Sequence, residues 1–408
     1  MDAIQTIEKG LFWTSAVVIV YVYVGYPLAM LLLARRPIRA RAGGTKLPPV
    51  SLIISAYNER QIIAAKIENA LSLDYPKHLF EIFVISDCSD DGTDDIVRKF
   101  SDRGIQLVRQ TQRLGKTSGL NLGVPQTSGE ILVFSDANAL YRPDAILQLV
   151  RHFADPKVGY VVGNARYIED PNLSMAGKSE GLYWKLETWL KAQESRFHSV
   201  VGGDGAIYAI RRGLYTPMLA TDINDFLTPL QIVNRGYMGV FEPAAVSYER
   251  GAGTFKQEFR RKTRIVSRSL RAVAREPGVL NPLRNGRHWF MLLSHKLLRW
   301  FVPFFMIVLL ATSLLLWSFP FYRAAAIVQV GLYVLALLGG LWPESVPAWK
   351  LLYLPYYFFV VNLAALAGVY KYFRGELEGT WMPARSDGPS PPFVEDSRPT
   401  RGGPVAPI

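Results

Sequence analysis

The 408-residue sequence predicts an α/β domain on a mostly parallel sheet, flanked by helices that cross a membrane. Strand-like and helix-like segments alternate from Pro49 to about Gly163, the pattern that builds a parallel sheet with helical crossovers. Four apolar runs without a charge lie outside that region. Polar residues cluster where the strand-like segments end, and in open α/β sheets ligands bind at those ends.

The first apolar run, Leu11 to Leu33, contains Pro27 and is long enough to cross a bilayer's hydrocarbon core. Asp2, Glu8 and Lys9 precede it where a signal peptide would be basic, and no small-residue cleavage site follows. It reads as an anchor spanning residues 1–34. Arg35, Arg36, Arg39, Arg41 and Lys46 come next with no acid among them, which places the following region in the cytoplasm. Strands are expected at Val50–Ser55, Phe80–Ile85, Ile105–Val108 and Ile131–Phe134. Helices or helical turns are expected around Arg60–Leu71, Asp94–Phe100 and Lys116–Val124.

Three strand ends carry chemistry. They are Tyr57-Asn58-Glu59, Asp87-Cys-Ser-Asp90-Asp91-Gly92-Thr93 and Asp136-Ala-Asn138. The last follows four apolar residues, as a strand covered on both faces would, and its two oxygen ligands at i and i+2 can reach one divalent cation. The competing reading is a turn capped by Asp and Asn. No Gly-x-Gly-x-x-Gly follows the first strand. Gly115-Lys116-Thr117 lacks the earlier glycine of a phosphate-binding loop, so dinucleotide binding and nucleotide-driven motors are disfavoured.

Taken in order, Ser55-Ala-Tyr57-Asn58-Glu59, Asp87 with Asp91-Gly92-Thr93, Arg113-Leu-Gly-Lys116 and Asp136-Ala-Asn138 resemble the consecutive motifs of family 2 glycosyltransferases. The likeness continues through Gly202-Gly203-Asp204-Gly205-Ala206, Asn224-Asp225-Phe226 and Arg261-Lys-Thr-Arg264, over roughly residues 48 to 275. It implies the nucleotide-diphospho-sugar transferase (GT-A) fold, a Rossmann-like domain over residues 48–254. The flanking apolar runs match the family's membrane-bound polysaccharide synthases.

The resemblance implies that Tyr57, Glu59, Asp87 and Lys116 surround the nucleotide. Asp136 and Asn138 would hold Mg²⁺ or Mn²⁺ against the diphosphate, and hard cations of this kind take oxygen ligands and keep several waters. Asp225 would be the base that deprotonates the acceptor hydroxyl, with Asp222 as the alternative, and Asp204 would line the acceptor site or serve a turn. Arg261 and Arg264 would contact the diphosphate. The family usually has acids where this chain has Asn138 and Asn224, and Gln and Trp where it has Arg261 and Ile265.

Residues 255–296 open with a basic amphipathic stretch. Arg260, Arg264, Arg268, Arg271 and Arg275 recur at helical spacing opposite Phe255, Phe259, Val266, Leu270 and Val273, as in a helix lying in the membrane interface. Trp300–Tyr322, Ala324–Pro343 and Leu351–Tyr370 are the remaining apolar runs of a membrane region over 297–373. A Pro- and Gly-rich tail, 383–408, reads as disordered. Four crossings would leave that tail outside, whereas Lys371 and Arg374 place it inside; one segment failing to cross would reconcile the two.

Hydrophobic residues make up 50% of the chain and charged ones 20%, too apolar for an ordinary soluble enzyme and too charged for a protein that is all membrane. The net charge of +12 suits an anionic lipid surface better than nucleic acid, given the apolar runs. One cysteine, Cys88, excludes an internal disulfide. The expectation is a multi-pass enzyme of the plasma (inner) membrane with a cytoplasmic catalytic domain, the lipid bilayer around it and polysaccharide-export subunits as possible partners. It would be an inverting transferase from a nucleotide-sugar, foremost a UDP-sugar, to a growing exopolysaccharide or other cell-envelope glycan. Single transfer to a polyprenyl-phosphate or other lipid acceptor is the alternative. A non-catalytic nucleotide-sensing membrane subunit is the alternative of another class. A transporter fits poorly, because the apolar runs hold almost no ionisable residues.

Overall fold

The computed structural model describes residues 2–34, 46–167, 175–249, 254–342 and 350–376. The arginines at 35–41 and the tail at 383–408 lie outside the described residues. Helix α1 (Asp2–Val20) passes through a π turn, Tyr21–Gly25, into α2 (Tyr26–Leu33). The wider turn falls just before Pro27, which has no N–H to donate.

Four strands follow with helices between them. They are β1 (Val50–Ala56), α3 (Ile63–Leu71), β2 (Phe80–Ser86), α4 (Thr93–Arg98), β3 (Ile105–Arg109), α5 (Lys116–Gly123) and β4 (Ile131–Asp136). This half matches the alternation in the sequence to within a few residues. Then come β5 (Leu140–Tyr141), α6 (Ala145–Val150), β6 (Val158–Tyr167), α7 (Met175–Phe197), β7 (Tyr208–Arg211), α8 (Asn224–Asn234) and β8 (Met238–Glu249). The sheet has the order β3-β2-β1-β4-β7-β6-β8-β5. Strands β1 to β4 are parallel; β7 runs antiparallel to both β4 and β6. The whole sheet is therefore mixed, with β6 parallel to β8 and β5 antiparallel to β8, and its parallel half is the one expected from the alternating segment. Side chains alternate between two cores, with Leu52, Ile54 and Val133 on one face and Ile53, Leu132 and Phe134 on the other.

Helix α9 (Phe255–Arg275) starts at Thr254, whose hydroxyl accepts from the Gln257 N–H. Its apolar side is not left for lipid. Val266 and Leu270 pack into a cluster with Leu230 of α8 and with Ala365 and Val369 further along the chain. Helix α10 (Pro282–Met291), a π-helical stretch (Leu292–Leu297) and α11 (Leu298–Leu315) run on continuously, followed by α12 (Pro320–Leu341) and α13 (Lys350–Phe373). Among the described residues four helices are long and apolar enough to cross a membrane, Ala3–Leu33, Pro282–Leu315, Pro320–Leu341 and Leu352–Phe373.

Charge joins the domain to these helices. Glu194 of α7 meets His295 Nδ1 and the Tyr26 hydroxyl, each at 2.6 Å. Glu187, one turn or two earlier on the same helix, meets His295 Nε2 at 3.2 Å and Lys296 at 3.1 Å, and pairs with Arg299.

Candidate active site

The ends of β1, β2 and β4 and the start of α5 surround a pocket lined by Ser55, Tyr57, Asp87, Gln110, Lys116 and Asp136. Asp87 organises it. Its Oδ1 accepts from Gln110 Nε2 at 2.7 Å and from the Leu114 and Gly115 N–H groups at 2.9 Å; Oδ2 accepts from Gly115 at 3.1 Å. One carboxylate thus shapes the Arg113-Leu-Gly-Lys116 loop and delivers Lys116 to the pocket. Burial nonetheless holds the Asp87 carboxyl above its ordinary range, against the pull of the Gly115 and Leu114 N–H groups.

Tyr57 faces the same pocket, and the Arg113 guanidinium lies 4.0 Å from its ring centroid. Glu59 is only 2% exposed and sits behind the loop, where its carbonyl receives the first N–H groups of α3. It does not line the pocket.

Lys116 pairs with Asp136 at the end of β4. Burial pulls the Lys116 ammonium down, but Asp136 and Asp225 more than offset that and hold it above an ordinary lysine. Gly205 marks where three charges converge. A Cβ there would stand 3.2 Å from Asp225 Oδ2, 3.3 Å from Asp136 Oδ2 and 3.5 Å from Lys116 Nζ. The glycine-rich run keeps that centre open.

Asp225 lies in the first turn of α8. Burial raises its carboxyl pKa, the Lys116 charge opposes this, and Asp204 and Asp136 push it further up. Asn224 beside it donates to the Tyr208 hydroxyl at 2.8 Å and anchors the helix start to β7. Asp222 is occupied elsewhere. It pairs with Arg275 and accepts from the Leu219 N–H at 2.7 Å. Asp204 serves a turn, accepting from the Ala206 N–H at 3.3 Å, and pairs with Lys191 at 2.9 Å.

Sequence reasoning passed over three groups. Glu249 ends β8, and burial together with Asp136 and Asp204 pushes its carboxyl up to about 8. Gln110 holds Asp87. Lys66 is fully buried beneath the Asp136–Asn138 loop, donating to the Ala139 carbonyl with its Nζ 4.0 Å from the Tyr141 ring centroid. Burial pulls Lys66 down to about 7. Its signal was legible, since Ile63, Lys66, Ile67 and Ala70 share one helical face.

The two arginines of α9 separate. Arg261 is held by Glu258 at 2.9 Å and by the Tyr167 hydroxyl at 3.1 Å, at the end of β6 opposite Glu249. Arg264 lies instead in a second concavity with Ser267, Arg268, Arg271, Lys371 and Glu376, apart from the pocket of Asp87 and Lys116.

The donor set fits a hard divalent cation. Asp136 offers a carboxylate and exposed Asn138 an amide oxygen, two oxygen ligands that leave room for waters and phosphate oxygens. Among the described residues no group of three or more His, Cys, Asp or Glu side chains is arranged to hold a metal by itself. Such a cation would be shared with the substrate.

Residues 51–216 match the family described as Glycosyl transferase family 2. The chain is 32% identical over 165 residues to a beta-monoglucosyldiacylglycerol synthase of Trichormus variabilis, covering 40% of this chain and 34% of that protein. It is 27% identical over 226 residues to a poly-beta-1,6-N-acetyl-D-glucosamine synthase of Staphylococcus aureus, covering 53% and 54%. It thus spans between about a third and about half of the curated relatives it matches. In fold it is similar to the mannosyltransferase PcManGT of Pyrobaculum calidifontis, solved with GDP-Man and Mn²⁺. That likeness has a TM-score of 0.67 and 22% identity and covers 90% of this chain and 99% of that one. The strand-end motifs thus belong to a domain that matches glycosyl transferase family 2, and the fold is GT-A.

Proposed function

We propose that the protein transfers a sugar, with inversion, from a cytosolic nucleotide-sugar to a growing exopolysaccharide or related cell-envelope glycan. A UDP-sugar is the expected donor. The observation that carries this reading is the meeting of Asp225, Asp136 and Lys116 around Gly205. The base of the nucleotide lies against Tyr57, with Asp87 and Gln110 fixing the loop around it. Lys116 places a positive charge beside the diphosphate. Asp136 and Asn138 hold Mg²⁺ or Mn²⁺, which when bound neutralises charge on the departing nucleotide diphosphate. Asp225 takes the proton of the acceptor hydroxyl as its oxygen attacks the anomeric carbon from the face opposite the leaving group. Burial suits it to the task, because a base with a raised pKa binds the proton more firmly.

Single transfer to a lipid acceptor is the second reading. Ile265 occupies the position where a tryptophan lies near the acceptor in chain-extending relatives, and Arg261 is committed to Glu258 and Tyr167. A panel of nucleotide-sugars given to the purified protein in lipid, with and without Mn²⁺, tests both readings. Product sizing separates a polymer from a singly glycosylated lipid. No transfer from any donor with any acceptor would leave the nucleotide-sensing reading in place.

A further inference from the structure

We propose that α13, although long and apolar enough to cross a bilayer, lies along the membrane surface on the side of the catalytic domain. The chain then crosses three times, and the segment after Phe373 shares a compartment with the active site. This is independent of which sugar is transferred.

Helices α9 and α13 run side by side in the same direction. Phe255 packs on Tyr356 with ring centroids 4.6 Å apart, and Tyr357 donates to Glu258 at 3.3 Å. Further on, Gly368 lies so close to α9 that a Cβ would stand 2.8 Å from the Thr263 carbonyl. Arg271 reaches the Glu376 carbonyl at 3.4 Å. Both ends of α9 are themselves tied to the catalytic domain, through Arg261 to Tyr167 and through Arg275 to Asp222. A helix that follows α9 from end to end therefore follows the underside of the domain.

The other three long helices behave differently. At the turn between α11 and α12 they meet in an aromatic knot, with Phe12 of the first helix 4.8 Å from Tyr322 and Trp13 stacked on Phe321 at 5.5 Å, joined by Leu316 and Phe319. No residue of α13 enters that cluster among the described residues. Helix α13 meets the first helix at Tyr23, through Phe358 at 5.2 Å and Asn362 at 3.4 Å. Tyr23 is ~16 Å along the helix from Phe12 at 1.5 Å per residue. Beyond that point α13 joins the cluster of Tyr26 and Met30, which lie still closer to the domain.

Its outer face fits a bilayer surface. Phe359, Leu363, Tyr370 and Phe373 are exposed and, with half-buried Leu366, form a single apolar stripe at helical spacing. Where α13 ends, Arg264, Arg268, Arg271 and Lys371 gather in one concavity with Glu376. An apolar stripe ending in clustered cations complements acyl chains below and anionic headgroups beside them. This also reconciles the basic residues Lys371 and Arg374 with a membrane-facing sequence.

Single cysteines in a Cys88→Ser background test the topology. Arg98→Cys marks the exposed surface of the catalytic domain and Ser318→Cys the turn between α11 and α12, and Arg374→Cys reports on the end of α13. In sealed vesicles of either orientation, a membrane-impermeant maleimide should label Arg374→Cys together with Arg98→Cys and in the opposite preparation from Ser318→Cys. Labelling of Arg374→Cys with Ser318→Cys overturns the proposal. Spin labels at Phe359→Cys, Leu363→Cys, Leu366→Cys and Tyr370→Cys should report one shallow depth. A profile deepest in the middle and shallow at both ends would mean a crossing helix and would equally overturn it.

Discussion

The two sides of the active centre are built on opposite electrostatic plans. On the donor side, residues from 55 to 136 satisfy one another over short reaches of the parallel strands. Asp87 is filled by Gln110, Leu114 and Gly115, and Asp136 by Lys116. On the side proposed for the acceptor, Asp204, Asp225 and Glu249 come from separate segments, and Asp204 acts electrostatically on each of the other two. Burial raises the carboxyl groups of Asp225 and Glu249, and the neighbouring acids add to it. Lys116 is the bridge between the sides, since it stands against both Asp136 and Asp225. A prebuilt, neutralised pocket can hold a substrate without rearranging. A buried carboxylate held above its ordinary range binds a proton more firmly.

Breaking that contrast at its centre should have the largest effect. Asp225→Asn removes the base and is expected to lower the transfer rate by about 10²–10⁴-fold while donor binding persists. Rate and donor affinity measured on the same preparation check this, and an active Asp225→Asn enzyme would remove Asp225 from the role. Gly205→Ala puts a methyl group between the sides. A displacement of reacting groups by about 1 Å costs on the order of 10²-fold, and circular dichroism should show the fold retained.

Effects confined to one side should be smaller. Asp136→Ala should weaken metal-dependent donor binding by at least the roughly 10–100-fold that loss of an outer-shell partner of a metal site costs, read from calorimetry at several Mn²⁺ concentrations. Glu249→Gln tests the acid surplus through stability. The Glu249 pKa rises from 4.5 unfolded to about 8 folded, so the wild type loses stability as pH climbs between those values and no further above them. The variant's thermal midpoint should therefore pull ahead of the wild type's across that window and hold a constant lead beyond it. Asn138→Asp should have the smallest effect, a several-fold rise in metal affinity from replacing an amide oxygen with a charged one.

The same contrast governs what could be read from the sequence. Tyr57, Asp87 and Asp136 sit at the ends of strands with plain apolar patterns, so their clustering was readable from position, while Lys116 at the start of α5 and the roles of all four came from the resemblance. Glu249 ends β8 beyond the region of alternation, and only the folded sheet brings it opposite Tyr167 and Arg261. Lys66 carried a legible signal, an otherwise apolar helical face, which was outweighed because lysines on helices are usually solvated. Arg264 shows the reverse error. The resemblance paired it with Arg261 at the diphosphate, and the two are neighbours on one side of α9, yet Arg264 stands a turn further along and lines the other concavity.

The Glu187 and Glu194 contacts with His295, Lys296 and Arg299 carry a mechanical consequence. Removing one partner from a buried ion pair strands the other, so this joint resists hinging. It clamps α7 to the shaft formed by α10 and α11, and α7 also bears Lys191, the partner of Asp204. The catalytic centre is mounted like a tool head at a constant height above its shaft. Asp204, held through Lys191 on the same helix, therefore keeps a fixed distance from the long helices.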